Sequence, residues 1–245
     1  MAEVGPSLRH TLYLHYLCPY AARALYSAAF KGLPVEVVEV DLEHKADWHL
    51  AMNPAGTSPT LKVAKAGSDY ILTESLPIVE YFNSFPGPNL YPLKTSGDIC
   101  PLGKAIVDSH TKILADPLGP SLAPFYSRTA TPEEVAKAKA TVGKVNSYIK
   151  GGRHILHTQV GEDMVTLADV ALLPFLERVI SFRETLFQPV FEGEDFQPLL
   201  DWFEGIMATP WAASQRVNTH RLANVYKLMR EGTYHGLALP ATKYD

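Results

Sequence analysis

Hydrophobic positions near the start of the chain follow the spacing of two short strands with one helix between them. Residues 12–16 and 35–40 are apolar-rich runs of strand length, whereas Pro19 opens a stretch of helical spacing that ends before Gly32. A strand, a helix and a second strand within about 30 residues form a βαβ unit, whose crossover is right-handed and whose strands are parallel. We therefore predict that the chain begins with an α/β arrangement.

Two further strands and a helix complete this first part. Residues 60–64 and 69–73 are strand-like runs on either side of a short loop that contains Gly67, which predicts a hairpin. The run after Thr73 has apolar residues on one helical face: Leu76, Ile78, Val79, Tyr81 and Phe82. Residues 41–52 predict no more than one or two helical turns.

A segment rich in proline and glycine at 84–92 cannot continue a helix or a strand, so we place a domain boundary there. We assign residues 1–84 to the first domain, residues 85–97 to a linker and residues 98–245 to a second domain. Every periodic segment of the second domain is helical. The predicted fold class is an α/β domain followed by an all-helical domain.

Helix starts in the second domain are marked by two capping boxes, which begin at Thr131 and Thr166. The helix after Thr166 is apolar on nearly every side, which predicts that it lies in the middle of the domain. We predict that residues 98–127 are helical but bent or broken. The reason is three prolines in that stretch: Pro101, Pro117 and Pro120.

Composition and charge exclude several functional classes. The chain has 245 residues, of which 47% are hydrophobic, and a formal net charge of −4. It therefore folds, and it lacks the positive field that nucleic acid or an anionic membrane would attract. No apolar stretch reaches the ~18 residues that cross a bilayer, and residues 1–10 lack the features of a secretory signal. We expect a cytoplasmic protein with no nucleic-acid or membrane partner.

Cys18 is the residue whose position best suits chemistry. It lies where the first strand gives way to the first helix, and Pro19 fits the first helical position. Unpaired N–H groups and the positive end of the helix dipole stabilise a thiolate there, which is the nucleophilic form of cysteine. Packing as a small hydrophobic residue is the alternative. Because Cys-Pro-Tyr-Ala has no second thiol, an external thiol must resolve any mixed disulfide at Cys18.

Two other junctions suit a peptide-like ligand. A cis bond between Ser58 and Pro59 would expose the Ser58 backbone for pairing with an extended peptide, although a trans proline at a strand edge is the more common arrangement. Glu74 and Ser75 begin a helix directly after a strand. Their carboxylate and hydroxyl suit a ligand that carries an amine and a carboxylate, and plain helix capping is the simpler explanation.

The remaining candidates are weaker. Two histidine pairs, His44 with His49 and His154 with His157, lack a cysteine or acidic cluster, so we expect solvated side chains and no metal. Cys100 lies in no recognisable helix start, and we assign it a structural role. With two cysteines in all, a disulfide framework or a thiolate metal site is excluded.

Together these motifs resemble the glutathione transferase superfamily and, within it, the omega-like members that use a cysteine. The resemblance rests on five segments in register: Cys-Pro-Tyr at 18–20, Lys-Ala-Asp-Trp at 45–48, Asn-Pro-x-Gly-x-x-Pro-x-Leu at 53–61, Glu-Ser-x-x-Ile at 74–78 and Thr-x-x-Asp at 166–169. It implies a thioredoxin-like domain that binds glutathione, a helical domain that supplies much of the acceptor site, and a homodimer.

The resemblance also implies roles for single residues. Cys18 would form a mixed disulfide with glutathione. The implied glutathione-binding residues are Pro19, Tyr20, Lys45, Ser58, Pro59, Glu74 and Ser75. Ser58, which stands where a valine is common, would pair by its backbone with the cysteinyl unit. Glu74 and Ser75 would hold the γ-glutamyl end, and Lys45 the glycyl carboxylate.

The implied activity is glutathione-dependent thiol transfer, in which glutathione is the cosubstrate of a small disulfide, dehydroascorbate or a glutathionylated acceptor. Three aromatic residues of the helical domain would contact the acceptor or simply pack: Tyr126, Trp211 and Tyr226. One alternative is conjugation of glutathione to electrophiles through the hydroxyl of Tyr13 or Tyr16. The others are a non-enzymatic protein similar to the chloride intracellular channels and a scaffolding domain.

Overall fold

The computed structural model describes residues 8–65 and 67–234, which divide into two compact units. Unit 1 contains residues 8–65, residues 67–87 and Tyr234, and unit 2 is Pro88–Thr233. The division falls inside the segment that the sequence marks as a boundary. Tyr234, which we assigned to the helical domain, groups instead with unit 1.

Unit 1 is a mixed sheet with helices. Its described elements are β1 (Arg9–Leu14), α1 (Pro19–Phe30), β2 (Glu36–Glu39), α2 (Asp47–Met52), β3 (Thr60–Lys65), β4 (Ser68–Thr73) and α3 (Ser75–Asn83). The strand order is β2-β1-β3-β4; β1 and β2 are parallel, and the other neighbouring pairs are antiparallel. The predicted thioredoxin-like α/β arrangement is confirmed.

The core of unit 1 fixes the end of β1. Leu12 and Leu14 are fully buried and share one hydrophobic cluster with Ala24 of α1 and with Ile78 and Phe82 of α3. Alternate residues of a strand face the same side, so this cluster holds β1 under both helices. The buried cluster therefore fixes both ends of the loop that connects β1 to α1.

Unit 2 is helical, as predicted. Its described helices are α4 (Pro101–Ser127), α5 (Pro132–Ile149), α6 (His157–Val160), α7 (Leu167–Ser181), α8 (Gln188–Phe191), α9 (Gln197–Met207), α10 (Pro210–Ala213) and α11 (Thr219–Glu231). Every residue of α7 except the last is buried, which confirms its central position. Among the residues that the structure describes, no helix is long and apolar enough to cross a membrane.

Both predicted capping boxes are present, at Thr131 and at Thr166. The second one also connects distant parts of unit 2. Asp169 accepts two hydrogen bonds from Thr166 through one oxygen, each at 2.8 Å. Its other oxygen accepts from the N–H of Ile155 at 3.0 Å and from the indole of Trp202 at 2.8 Å. One buried carboxylate thus ties α7 to α9 and to the loop between α5 and α6.

Helix α4 is continuous, so the broken form of our prediction was wrong, whereas a bend in this helix stays a prediction. Pro101 lies in its first turn, where the missing N–H removes no helical hydrogen bond. Three prolines lie further along the helix: Pro117, Pro120 and Pro124. Each removes a backbone bond, and packing of α4 against α5 and α7 holds the helix nonetheless.

Cys100 corrects a second prediction. It is the N-cap residue of α4, and its sulfur accepts a hydrogen bond from the N–H of Gly103 at 3.5 Å. Our expectation that Cys100 has no helix start was wrong, because Pro101 begins the helix rather than interrupting it. Both cysteines of the chain therefore precede a proline at the start of a helix.

Candidate functional site

The β1–α1 junction places Cys18 at the beginning of α1. Cys18 is the N-cap residue, with an extended backbone (φ −73°, ψ 113°), and Pro19 is the first helical residue. Its carbonyl accepts from the N–H of Ala22 at 3.1 Å, and its own N–H donates to the His15 carbonyl at 2.9 Å. The side chain is half-buried. The Cys18 side chain makes no cap hydrogen bond to the helix, and the positive end of the α1 dipole at this position favours the thiolate.

Ser58 brings a second segment of unit 1 to Cys18. The Cys18 thiol lies 3.5 Å from the Ser58 carbonyl oxygen, to which it donates. The N–H of His15 donates to the Ser58 hydroxyl at 2.9 Å. The bond between Ser58 and Pro59 is cis. Because the carbonyl accepts the thiol proton, this contact favours the protonated form of Cys18 when no ligand is bound.

A buried asparagine shapes the turn that leads to Ser58. The side-chain amide of Asn53 donates to the carbonyl of Thr57 at 3.1 Å and to the hydroxyl of Thr60 at 2.9 Å. Its carbonyl oxygen accepts from the N–H of Ala55 at 3.2 Å. In the sequence Asn53 is only one position of a motif, whereas in the structure its side chain fixes the shape of this turn.

Glu74 and Ser75 lie at the start of α3. Glu74 has φ 69° and ψ 130°, and it is the only non-glycine residue with a positive φ in the described ranges. A residue with a side chain is strained in this region of φ and ψ. Ser75 is buried, and its hydroxyl accepts from the guanidinium of Arg23 at 3.2 Å. Arg23 also lies over the ring of Tyr20, 5.0 Å from its centre.

Lys45 covers the turn that follows α2. Its ammonium group is 3.4 Å from the carbonyl of Ala55, and the side chain is exposed. Gly56 has φ +57°, and a Cβ there would lie 2.6 Å from the Cδ of Lys45. The positive φ favours glycine at position 56, and a side chain there would displace the exposed Lys45 side chain. The neighbouring Trp48 packs on Tyr13, with ring centres 5.5 Å apart.

The structure therefore brings the predicted glutathione-binding residues together only in part. Direct contacts join Cys18 to the segment at Ser58, and Arg23 joins Tyr20 to Ser75. Lys45 contacts the turn before Ser58. All of these residues belong to unit 1.

His15 has a place in this site that sequence reasoning missed. It is buried, 7% exposed, although it lies in the loop directly after β1. Its ring and its main chain both form hydrogen bonds within unit 1. The only sequence signal is a histidine inside an otherwise apolar and aromatic run, and such a residue is usually explained by packing.

Unit 2 contains a cavity of about 920 Å³ at the ends of α4, α7 and α11. Aromatic and cationic side chains are prominent in its lining: Phe125, Phe182, Tyr226, Lys227 and Arg230. Tyr226 stacks on Tyr126 with ring centres 4.6 Å apart. Burial raises the pKa of the Tyr226 phenol, so its hydroxyl stays protonated near neutral pH. Trp211 is the second residue of α10 and does not line this cavity.

The histidines correct one expectation. His44 and His154 pair with nearby aspartates at 3.3 and 2.8 Å. His49, predicted to be solvated, is fully buried, because α2 turns it toward the hydroxyl of Thr60 at 3.5 Å. Within the described ranges, no group of three or more His, Cys, Asp or Glu side chains is placed to hold a metal ion.

Comparison with known proteins agrees with this geometry. Residues 17–84 match the family model described as Glutathione S-transferase, N-terminal domain. Glutathione S-transferase L1 of Arabidopsis thaliana is 30% identical over 186 residues, which cover 72% of this chain and 69% of that protein. Glutathione S-transferase omega-1 of Mus musculus is 22% identical over 213 residues, which cover 84% of this chain and 80% of that protein.

A solved structure shows the same fold. Glutathione transferase Omega 2C from Trametes versicolor aligns with a TM-score of 0.74, at 19% identity, over 92% of this chain and 100% of that one. At this identity the similarity concerns the fold alone. The family itself is shown by the Arabidopsis relative, together with the family model that matches residues 17–84: the chain belongs to the glutathione S-transferase superfamily.

Proposed function

We propose that this glutathione transferase is a thiol transferase that uses Cys18 as its nucleophile. The observation that carries the proposal is the position of the Cys18 sulfur, at the start of α1 and 3.5 Å from the carbonyl of Ser58. The helix start favours a thiolate, and the Ser58 segment offers backbone groups to a peptide. Members of the superfamily bind glutathione as a cosubstrate.

The proposed reaction has two exchange steps. The Cys18 thiolate attacks the glutathionyl sulfur of a mixed disulfide, so a bond forms between Cys18 and glutathione while the acceptor thiolate leaves and takes a proton from water. A second glutathione thiolate then attacks the glutathionyl sulfur bound to Cys18. Oxidised glutathione leaves, and Cys18 returns as the thiolate. The acceptor is reduced, and reduced glutathione is consumed.

Glutathione binding would itself favour the reactive form of Cys18. In the proposed complex the backbone of Ser58 pairs with the cysteinyl unit, Glu74 and Ser75 hold the γ-glutamyl end, and Lys45 meets the glycyl carboxylate. The ligand N–H then occupies the Ser58 carbonyl that otherwise accepts the Cys18 proton. When the Ser58 carbonyl is occupied by the ligand, it no longer stabilises the thiol form of Cys18, and the start of α1 favours the thiolate.

We propose that the cavity of unit 2 takes the apolar part of the acceptor. Its aromatic walls suit an aromatic or aliphatic body. Its cations already have partners, since Lys227 lies 4.0 Å from Glu231 and Arg230 donates to two backbone carbonyls. This assigns an acceptor role to Tyr226 and a supporting one to Tyr126, which stacks behind it. Trp211 lies outside this cavity, and we give it no such role.

We further propose that the protein is a homodimer that uses the edge of its sheet. Strand β4 is the last strand in the sheet order, and Tyr70 and Ile71 on it are 56% and 38% exposed. An exposed apolar edge strand is an open site for association. Glutathione transferases commonly dimerise, so a second copy of this chain is the partner we assign to β4.

Replacement of Cys18 tests the nucleophile. Cys18→Ala should lose at least 99% of glutathione-dependent reduction of 2-hydroxyethyl disulfide, roughly the hundredfold or more expected when a nucleophile is removed. Cys100→Ala is the matched control, because Cys100 also precedes a proline at a helix start, and it should retain parental activity. Steady-state rates at equal protein concentration compare the two. Activity that survives in Cys18→Ala would contradict the proposal. Conjugation of glutathione to a chloro-nitroaromatic compound that persists in Cys18→Ala and falls with Tyr13→Phe or Tyr16→Phe would favour the conjugating alternative.

Replacement of Glu74 separates backbone strain from ligand binding. Glu74→Gly should raise the free energy of unfolding by about 1 kcal/mol, since relief of the positive φ exceeds the entropy that glycine adds to the unfolded chain. The same change should raise the KM for glutathione about tenfold, because the carboxylate is lost. Glu74→Gln, which keeps the strained backbone, should raise the KM without the gain in stability. A parental KM in both variants, measured beside urea unfolding, would exclude Glu74 from the binding site.

Filling the cavity tests the acceptor assignment. Ala223 lines the cavity and is exposed, so Ala223→Trp fills space without opening the core. We expect the KM for a bulky acceptor, the mixed disulfide of glutathione and naphthalenethiol, to rise about tenfold through lost apolar contact. The KM for 2-hydroxyethyl disulfide should stay unchanged. Asn224→Trp, at the next exposed position outside the cavity, is the control; equal effects of both variants would refute the assignment.

Light scattering tests the homodimer. The parent should have a mass about twice 27.0 kDa. The double variant Tyr70→Lys and Ile71→Lys should shift it toward the monomer, because charge on an edge strand opposes pairing. Trp48→Lys, at another exposed aromatic residue of unit 1, should leave the mass unchanged. A monomeric parent would rule the proposal out.

A further inference from the structure

We propose that His15 is a positioning residue, whose neutral imidazole holds the β1–α1 loop so that the Cys18 thiol stands at the carbonyl of Ser58. This inference rests on the proposed function, since it assigns His15 a task only where Cys18 reacts. It concerns the geometry of the loop and not direct contact with glutathione or the acceptor.

The ring of His15 is held in one tautomer by its hydrogen bonds. The N–H of Leu17 lies 3.2 Å from Nδ1 of His15, and a backbone N–H can only donate. Nδ1 is therefore the unprotonated acceptor, and in the neutral ring Nε2 carries the proton. Nε2 lies 3.0 Å from the hydroxyl of Tyr234, so the ring donates to Tyr234. The same residue thus accepts on one side and donates on the other.

The main chain of His15 completes a closed set of contacts around the thiol. Its carbonyl accepts from the N–H of Cys18 at 2.9 Å, and its N–H donates to the hydroxyl of Ser58 at 2.9 Å. The third side is the bond from the Cys18 sulfur to the Ser58 carbonyl, at 3.5 Å. A change in the direction of the His15 backbone therefore alters the position of Cys18 relative to Ser58. These are the two groups that the proposed reaction needs in register.

The side chain controls that direction, because the bond from Leu17 closes the loop over the His15 ring. Leu17 lies directly before Cys18, so a ring that turns away releases the N–H next to the nucleophile. Tyr234 prevents the rotation by holding Nε2. Tyr234 follows α11 along the chain, yet it belongs to unit 1. It is separated from His15 by 219 positions in the sequence. The segment after α11 thereby contributes to the position of the nucleophile.

Two amide substitutions distinguish positioning from packing. In His15→Asn the side-chain oxygen stands where Nδ1 stands and can accept from Leu17, while the bond to Tyr234 is lost. In His15→Gln the terminal amide stands where Nε2 stands and can donate to Tyr234, while the acceptor for Leu17 is lost. A residue that merely fills space would respond to both changes alike, whereas a positioning residue separates them.

The test uses the full chain in a Cys100→Ala background, so that Cys18 is the only thiol. The first readout is the rate at which iodoacetamide alkylates Cys18 over a pH series, and the second is kcat and KM with glutathione and 2-hydroxyethyl disulfide. Thermal unfolding of each variant is the control for folding. We expect His15→Gln to lower the alkylation rate and kcat about tenfold, the effect of one lost hydrogen bond on geometry. We expect His15→Asn to stay within about threefold of the parent and Tyr234→Phe to fall between the two.

Two results would overturn the inference. One is equal loss in His15→Asn and His15→Gln, which would mean packing. The other is an alkylation rate unchanged in every variant while the melting temperature falls, which would mean stability alone. Alkylation does not require turnover, so it still reports on the loop if the proposed transferase activity is absent. Failure of the proposed function and failure of this inference are thus observed separately.

Discussion

The site depends on one constraint: a single sulfur must stand at the start of a helix and at the same time beside an open backbone edge. Each condition alone is easy to meet. Both are met here because the core of unit 1 holds β1 under α1 and α3, so that the loop between Leu14 and Cys18 has little freedom. The hydrogen bonds of His15 then fix the path of this loop. Asn53 fixes the turn that brings Ser58 to the sulfur.

Comparison of the two cysteines shows why the helix start is not sufficient. Cys18 and Cys100 are both N-cap residues, and each is followed by proline. The sulfur of Cys100 accepts a hydrogen bond from its own helix, at the N–H of Gly103. Cys18 instead meets the carbonyl of another segment, one that a ligand can occupy in its place. What distinguishes Cys18 is therefore the partner across from the helix and not the helix itself.

Short sequence patterns predicted those parts of the fold that depend on interactions between residues close together in the chain. The capping boxes at Thr131 and Thr166 gave the starts of α5 and α7, and the apolar surface of α7 gave its central position. The prolines of α4 wrongly indicated a break in the helix, because tertiary packing overrides helix propensity there. The same misreading concealed the helix start at Cys100.

The candidate site was predictable where a short motif carries it and not where contacts join distant segments. Cys18 and Glu74 could be chosen from their positions before a helix. The strained φ of Glu74 could not be predicted, because no sequence pattern indicates that a residue adopts a backbone conformation that it disfavours. The bond between His15 and Tyr234 joins residues at opposite ends of the chain, and no periodicity encodes it.

The residues that shape the candidate site of unit 1 are buried and hydrogen-bonded, whereas several residues that line the cavity of unit 2 are exposed. This difference affects how the proposed specificity for the acceptor can change. In unit 1, His15 and Asn53 are buried and each makes several hydrogen bonds, so substitution of either one disturbs a neighbour as well. The cavity of unit 2 is lined partly by exposed residues such as Ala223 and Lys227, whose replacement leaves the core around α7 and Asp169 intact. Surface positions tolerate substitution at small cost in stability, and buried hydrogen-bonded ones do not. Under the proposed function, the acceptor can therefore change by substitutions in unit 2 while the geometry around the Cys18 thiol is kept. For that reason glutathione binding is more predictable from the family than the acceptor is.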